Sequence, residues 1–127
     1  MNQLSKRSLA RLAGVNPLLI AIVTDAVKES PYDFGIPKYG GMRAAKDQKE
    51  LYDKGKSRCD GYNKKSYHQS GNAFDIFGYH NGKATWDKQV LTAIARHIQK
   101  VARDNYKVEL TWGGDWTSFV DMPHFQI

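Results

Sequence analysis

The sequence predicts one small α+β domain, with N-terminal helices packed on a small antiparallel sheet that carries the polar, chemistry-bearing residues. Three observations carry that reading. Apolar residues recur at helical spacing near the start of the chain and again after residue 87. Between them, "NAFDIFGYHNGKATW" alternates in the manner of a strand and holds an Asn-Gly turn. Finally, 127 residues with 41% hydrophobic composition suffice for one core without disulfide staples.

The elements follow in order. "LSKRSLARLAG" predicts a short helix stopped by Gly14. "VNPLLIAIVTDAVKES" starts a second, with Asn16 as N-cap and Pro17 at the first helical position, and Leu18, Leu19, Ile22, Val23 and Ala26 on its core side. "YDFGIPKYGGMR" reads as short strands or irregular chain, and "AAKDQKELYDKGK" as a helix ending at Gly55. Residues 56–67 are polar and form a loop. A hairpin turns at Asn81–Gly82. Asp87 then caps a long amphipathic helix with Val90, Leu91, Ile94, Ile98, Val101 and Ala102 on one face. "KVELTWGG" and "HFQI" complete the strands. No repeat, linker or low-complexity segment divides residues 1–127, so they are expected to form a single domain.

Composition narrows the function. A lone cysteine, Cys59, excludes an intramolecular disulfide and any Cys-rich metal site. The net charge of +6 suits an anionic partner such as nucleic acid, membrane or bacterial cell wall. There is no run of five or six like charges and no nucleic-acid-binding motif. The apolar run "PLLIAIV" is too short for a membrane span and continues into a helix without a small-residue cleavage site. A soluble chain without a signal peptide is expected.

Two stretches carry chemistry. "SYHQSGNAFDI" places His68 and Asp75 with six residues between them, and "DMPHFQI" places Asp121 three residues before His124. Two histidines and an aspartate are zinc-binding types, and three protein ligands plus a water is the pattern of a catalytic zinc site. The metal lowers the pKa of its water and polarises a carbonyl. A separate carboxylate must then move the proton, and Asp121, in a turn stiffened by Pro123, stands where such a base belongs. Each piece has a plainer reading. A single histidine is more often structural or exposed, and Asp75, alternating with Phe74 and Ile76, either binds metal or lies on a solvated face.

"SYHQSGNAFDI" resembles the S-x-H-x-x-G-x-A-x-D signature of the zinc peptidases that include D-Ala-D-Ala carboxypeptidases, D-Ala-D-Ala dipeptidases and phage L-alanyl-D-glutamate endopeptidases. "DMPHFQ" resembles the second signature of that family, "GMRAAKDQKELYDKG" its upstream segment, and "LSKRSLARLAGVNPLL" the opening of the phage endolysin branch. The resemblance implies one zinc per chain, with His68, Asp75 and His124 as ligands and Asp121 as catalytic base. It implies that Arg43 stabilises the oxyanion, its plainer role being a surface ion pair. Ser66 either positions its loop or touches substrate, and Gln48 lies on the substrate-binding side as a positioning residue. Relatives that act as dipeptidases carry Glu at the base position; Asp121 and the D-x-P-H-F form are similar to the endolysin branch.

The implied activity is a zinc endopeptidase that cuts peptidoglycan between L-alanine and D-glutamate for host lysis by a bacteriophage. Such an enzyme would be made in the host cytoplasm and act in the cell wall after membrane permeabilisation, as a monomer without stable membrane association or a separate wall-binding domain. A D-Ala-D-Ala carboxypeptidase on the same scaffold, or a catalytically silent wall-binding module, are the alternatives; a nucleic-acid-binding domain would leave the His/Asp arrangement unexplained. Manganese, cobalt or nickel would also suit the ligand types.

Other residues have ordinary roles at this stage. His80 is expected in an exposed turn, His97 beside the Ile94/Ile98 stripe, and Cys59 as an inert loop residue. Trp86, Trp112 and Trp116 either line a cleft or belong to the core. Gly113–Gly114 either lets the chain pass close to the site or forms a simple turn.

Overall fold

The computed structural model describes residues 2–127. Four helices and six short strands appear in the order α1 Lys6–Arg11, α2 Pro17–Ala26, β1 Phe34–Gly35, α3 Ala45–Asp53, β2 Ala73–Asp75, β3 Phe77–His80, β4 Lys83–Thr85, α4 Lys88–Tyr106, β5 Thr111–Trp112 and β6 His124–Gln126. The α+β class is as expected. The sheet is not single, however: β1-β3-β4 and β2-β6-β5 are two three-stranded antiparallel sheets.

Local signals explain the helix boundaries. The Asn16 side chain accepts from the amide of Leu18, with Pro17 in the first turn, and Asp87 accepts from the amides of Gln89 and Val90. These bonds satisfy amides that the first turn would otherwise leave unpaired. Leu19, Ile22, Val23 and Ala26 of α2 are buried with Val90, Leu91, Ile94, Ile98 and Ala102 of α4, forming the centre of the core. Leu18 and Val101 are only partly buried at its edge. His97 sits at this junction, its Nε2 2.8 Å from the carbonyl of Ala26.

The expected hairpin is β3–β4, and Asn81 and Gly82 have φ of 53° and 76°, the positive values that a two-residue primed turn needs. The preceding strand does not run straight into it. At Ile76 the chain leaves one sheet for the other, and the Ile76 amide donates to the carbonyl of Pro123 at 3.0 Å. Ile76 remains fully buried, so the alternation of side chains continues across the break.

The second sheet positions the site. Its register sets Phe74 opposite Phe125 and Asp75 opposite His124. Phe74 and Phe125 stack with ring centroids 5.0 Å apart and are fully buried. Because side chains alternate along a strand, Asp75 and His124 together project from the opposite face. The core contact of one pair thus fixes the placement of the other.

Candidate metal centre

The third member of the cluster comes from outside the sheet. Ser66 caps a 3-10 turn, Tyr67–Ser70: its Oγ accepts from the His68 amide at 3.2 Å, and its own amide donates to Gln69 Oε1 at 2.9 Å. This capping box holds His68 against the sheet. The His68 carbonyl in turn accepts from the Arg43 amide at 3.1 Å.

Each imidazole has one nitrogen engaged by the protein and the other turned inward. His68 Nδ1 donates to the carbonyl of Gly41 at 2.8 Å, and His124 Nε2 donates to Gln126 Oε1 at 2.7 Å. The remaining lone pairs converge with one carboxylate oxygen. His68 Nε2 is 3.1 Å from His124 Nδ1 and 3.2 Å from Asp75 Oδ1, which is 3.3 Å from His124 Nδ1.

Two imidazole nitrogens and a carboxylate oxygen at such separations repel unless a proton or a metal cation lies among them. Ligand atoms about 2.0–2.1 Å from a tetrahedral zinc ion stand about 3.3 Å from one another, close to the spacing found. The supporting contacts also fit, since each ligand is oriented by a hydrogen bond at its other polar atom. For Asp75 that bond comes from Arg43 Nη2, which donates to Oδ2 at 2.8 Å. Among the described residues, His68, Asp75 and His124 form a group able to hold a metal ion.

The electrostatics follow from this crowding. Burial works to raise the Asp75 carboxyl, but the His68 charge, hydrogen bonds from both histidines and the Arg43 charge outweigh it and hold the group far below the usual carboxylate range. Burial works against a charged His124, yet the hydrogen bond and charge of Asp75, with Gln126 and Asp121, raise its pKa overall. Asp121 is pushed upward, first by burial and then by the Asp75 charge, against opposing pulls from His124, His68 and Arg43.

Asp121 lines the same cleft as the three ligands, with Arg43, Ser66 and Trp116; the cavity holds about 520 Å³. Its backbone is pinned on both sides: the Asp121 amide donates to Gly113 at 3.0 Å, and its carbonyl accepts from the His124 amide at 3.1 Å. A Cβ at Gly113 would collide with the Asp121 carbonyl oxygen, so the close passage considered for Gly113 is the one observed. Trp116 stands against His124, with ring centroids 5.3 Å apart, whereas Trp112 is buried and donates to the Met122 carbonyl. Trp86 is exposed and stacks on Phe77, away from the cleft.

Arg43 is more tightly tied than the sequence suggests. Besides Asp75, it donates to the Tyr39 carbonyl at 2.7 Å and to Gln48 Oε1 at 3.1 Å. Gln48 is fully buried behind it and donates to Ser57 Oγ and the Cys59 carbonyl. Cys59 meets this network through its backbone, its carbonyl accepting from Gln48 and its amide donating to Ser57 Oγ. His80 is exposed beside the Tyr32 ring, apart from the cluster. The orienting carbonyls of Gly41 and Tyr39 have no sequence signature. Gln126 had one: it lies two residues from His124, on the same strand face.

The fold and site together define a small α+β domain whose cleft sets a group able to hold a metal ion beside the Asp121 carboxylate. The comparisons identify the class as a peptidase. The family model for phage L-alanyl-D-glutamate peptidase matches residues 1–125, and the chain belongs to that family. It is 31% identical to the L-alanyl-D-glutamate peptidase of Escherichia phage T5 over 117 residues, covering 91% of this chain and 82% of that protein. The crystal structure of the Serratia marcescens L-Ala D-Glu endopeptidase ChiX superposes with a TM-score of 0.85 at 28% identity, covering 99% of this chain and 90% of ChiX. Among the described residues no helix is long and apolar enough to cross a membrane.

Proposed function

We propose that this chain is a peptidoglycan endopeptidase that hydrolyses the stem-peptide bond between L-alanine and D-glutamate, with one zinc ion held by His68, Asp75 and His124. The observation that carries the reading is the convergence of three ligand atoms beside the Asp121 carboxylate, in one cleft of a chain from this family. Zinc bound there supplies a water with a pKa near neutrality and polarises the scissile carbonyl.

Asp121 is the general base: it takes the proton of the attacking water and delivers it to the amine that leaves on the glutamate side. Its partial burial and raised pKa suit a group that must gain and then lose a proton. Arg43 keeps Asp75 in its ligand orientation and, from the cleft wall, stabilises negative charge developing on the carbonyl oxygen. Ser66 holds the His68 turn and borders the substrate. Gln48 acts on substrate through Arg43. The setting is host-cell lysis by a bacteriophage: the enzyme is made as a monomer in the host cytoplasm and reaches the wall once the membrane is permeable.

Metal analysis and digestion of purified peptidoglycan, for the wild type and Asp121→Ala, test the proposal. One zinc in both proteins, with new glutamate amino termini released only by the wild type, is the expected result. Zinc in both without cleavage by either would indicate a binding module. Released D-alanine would indicate a carboxypeptidase.

A further inference from the structure

The cleft beside the metal centre carries a charge pattern that the catalytic step does not use. Lys56, Arg58, Lys64 and Lys65 line the side built by the loop after α3, and Lys38 lines it from the segment after β1. Against them, the carboxylates among the described lining residues are Asp75 and Asp121, both already engaged at the metal centre. None of the five cations is ion-paired among the described residues.

Arg58 is the best placed of them. Its guanidinium carbon lies 5.0 Å from the ring centroid of Phe119, two residues before Asp121. Phe119 is 39% exposed and has φ of 49°, a left-handed backbone that is unfavourable for a non-glycine residue and gathers at functional sites. Stacking on an aromatic face restrains a guanidinium but leaves its in-plane N–H edge open. That edge matches the two oxygens of a carboxylate.

We propose that Arg58, stacked on Phe119, receives the free carboxylate of the glutamate residue on the leaving side of the scissile bond, and so sets a preference for an acidic residue there. The inference rests on the function proposed above. Glutamate has two side- and main-chain carboxyls, and a peptide that continues through one leaves the other free. Lys56, Lys64 and Lys65 spread the positive field along the cleft and draw an anionic peptide toward it.

Two stem peptides that differ only in whether this carboxylate is the free acid or its primary amide test the assignment. Zinc-loaded wild type, Arg58→Ala, Arg58→Lys and the distant control Lys83→Ala are compared by cleavage and by binding, followed through the fluorescence of cleft residue Trp116. The wild type should favour the acid, and Arg58→Ala should lose about tenfold in kcat/KM on the acid while keeping its rate on the amide. Arg58→Lys, with charge but no fork, should fall between, and Lys83→Ala should match the wild type. An unchanged acid-to-amide ratio in Arg58→Ala overturns the inference, as does an equal loss on both peptides. Cleavage of both peptides with an unmoved ratio would leave the proposed reaction standing and remove the carboxylate site. Binding that favours the acid through Arg58, without cleavage, would retain the site and remove the reaction.

Discussion

Asp75 and Arg43 divide one carboxylate between two tasks: Oδ2 accepts from Arg43 Nη2 at 2.8 Å, while Oδ1 faces His68 Nε2 at 3.2 Å and His124 Nδ1 at 3.3 Å. Fixing the first oxygen leaves the second a single orientation. Arg43→Ala should therefore weaken zinc binding by about 10–100-fold, the usual cost of losing such a supporting contact. Arg43→Lys should restore only part of it, because a point charge cannot also serve Tyr39 and Gln48. Competition against a chromophoric chelator measures the effect; wild-type affinity in Arg43→Ala would remove the orienting role.

Asp121 borders the cluster without belonging to its triangle of ligand atoms. Asp121→Asn should retain one zinc and lose about 10²–10⁴-fold in kcat. Steady-state kinetics at saturating zinc separates this from a binding defect. Loss of metal from Asp121→Asn would instead make the residue part of the coordination sphere.

Zinc binding should strengthen as pH rises. Burial disfavours a charged His124, but Asp75 and the other neighbours prevail and raise its pKa above the ordinary 6.5. Below the raised value a proton occupies the imidazole atom that the metal needs, so affinity should climb by about tenfold per pH unit for the one proton displaced, then level off. In metal-free protein the same shift has the opposite consequence. Its stabilisation is fully present below pH 6.5 and is lost as pH rises through the folded pKa. Isothermal titration at several pH values and denaturation in chelator check the two halves; a pH-independent zinc affinity would contradict the first.

Gly113→Ala should act on Asp121 from behind. The added Cβ meets the Asp121 carbonyl, and the backbone must yield. A loss of about 1–3 kcal/mol in stability is expected, the ordinary cost of overpacking, together with reduced turnover. Urea denaturation and activity should both report it; a variant as active and stable as the wild type would mean the loop adjusts freely.

Features legible in the sequence were those decided locally. Asn16 and Asp87 satisfy neighbouring backbone amides, Asn81–Gly82 take the positive φ that their turn needs, and each marks the boundary it predicts. The division into two sheets at Ile76 left no such mark, because inward and outward side chains keep alternating through the break. The strand expected in "KVELTWGG" shrinks to Thr111–Trp112, after Lys107 ends α4 in left-handed backbone. At the site, His68, Asp75, Asp121 and His124 were readable as residue types in ordered signatures. The Arg43–Asp75 bond and the Gly41 carbonyl behind His68 were not, since they join segments separated by 32 and 27 residues.

The strand carrying His124 is the sixth in chain order but the middle one of its sheet, between β2 and β5. During synthesis, a ribosome that has released the chain through residue 112 has delivered both neighbours but not the strand that joins them. That nascent chain has neither a continuous second sheet nor all three members of the His68–Asp75–His124 group. The group therefore assembles only once β6 has emerged and paired with both neighbours, so the order of synthesis sets when a metal ion could be held.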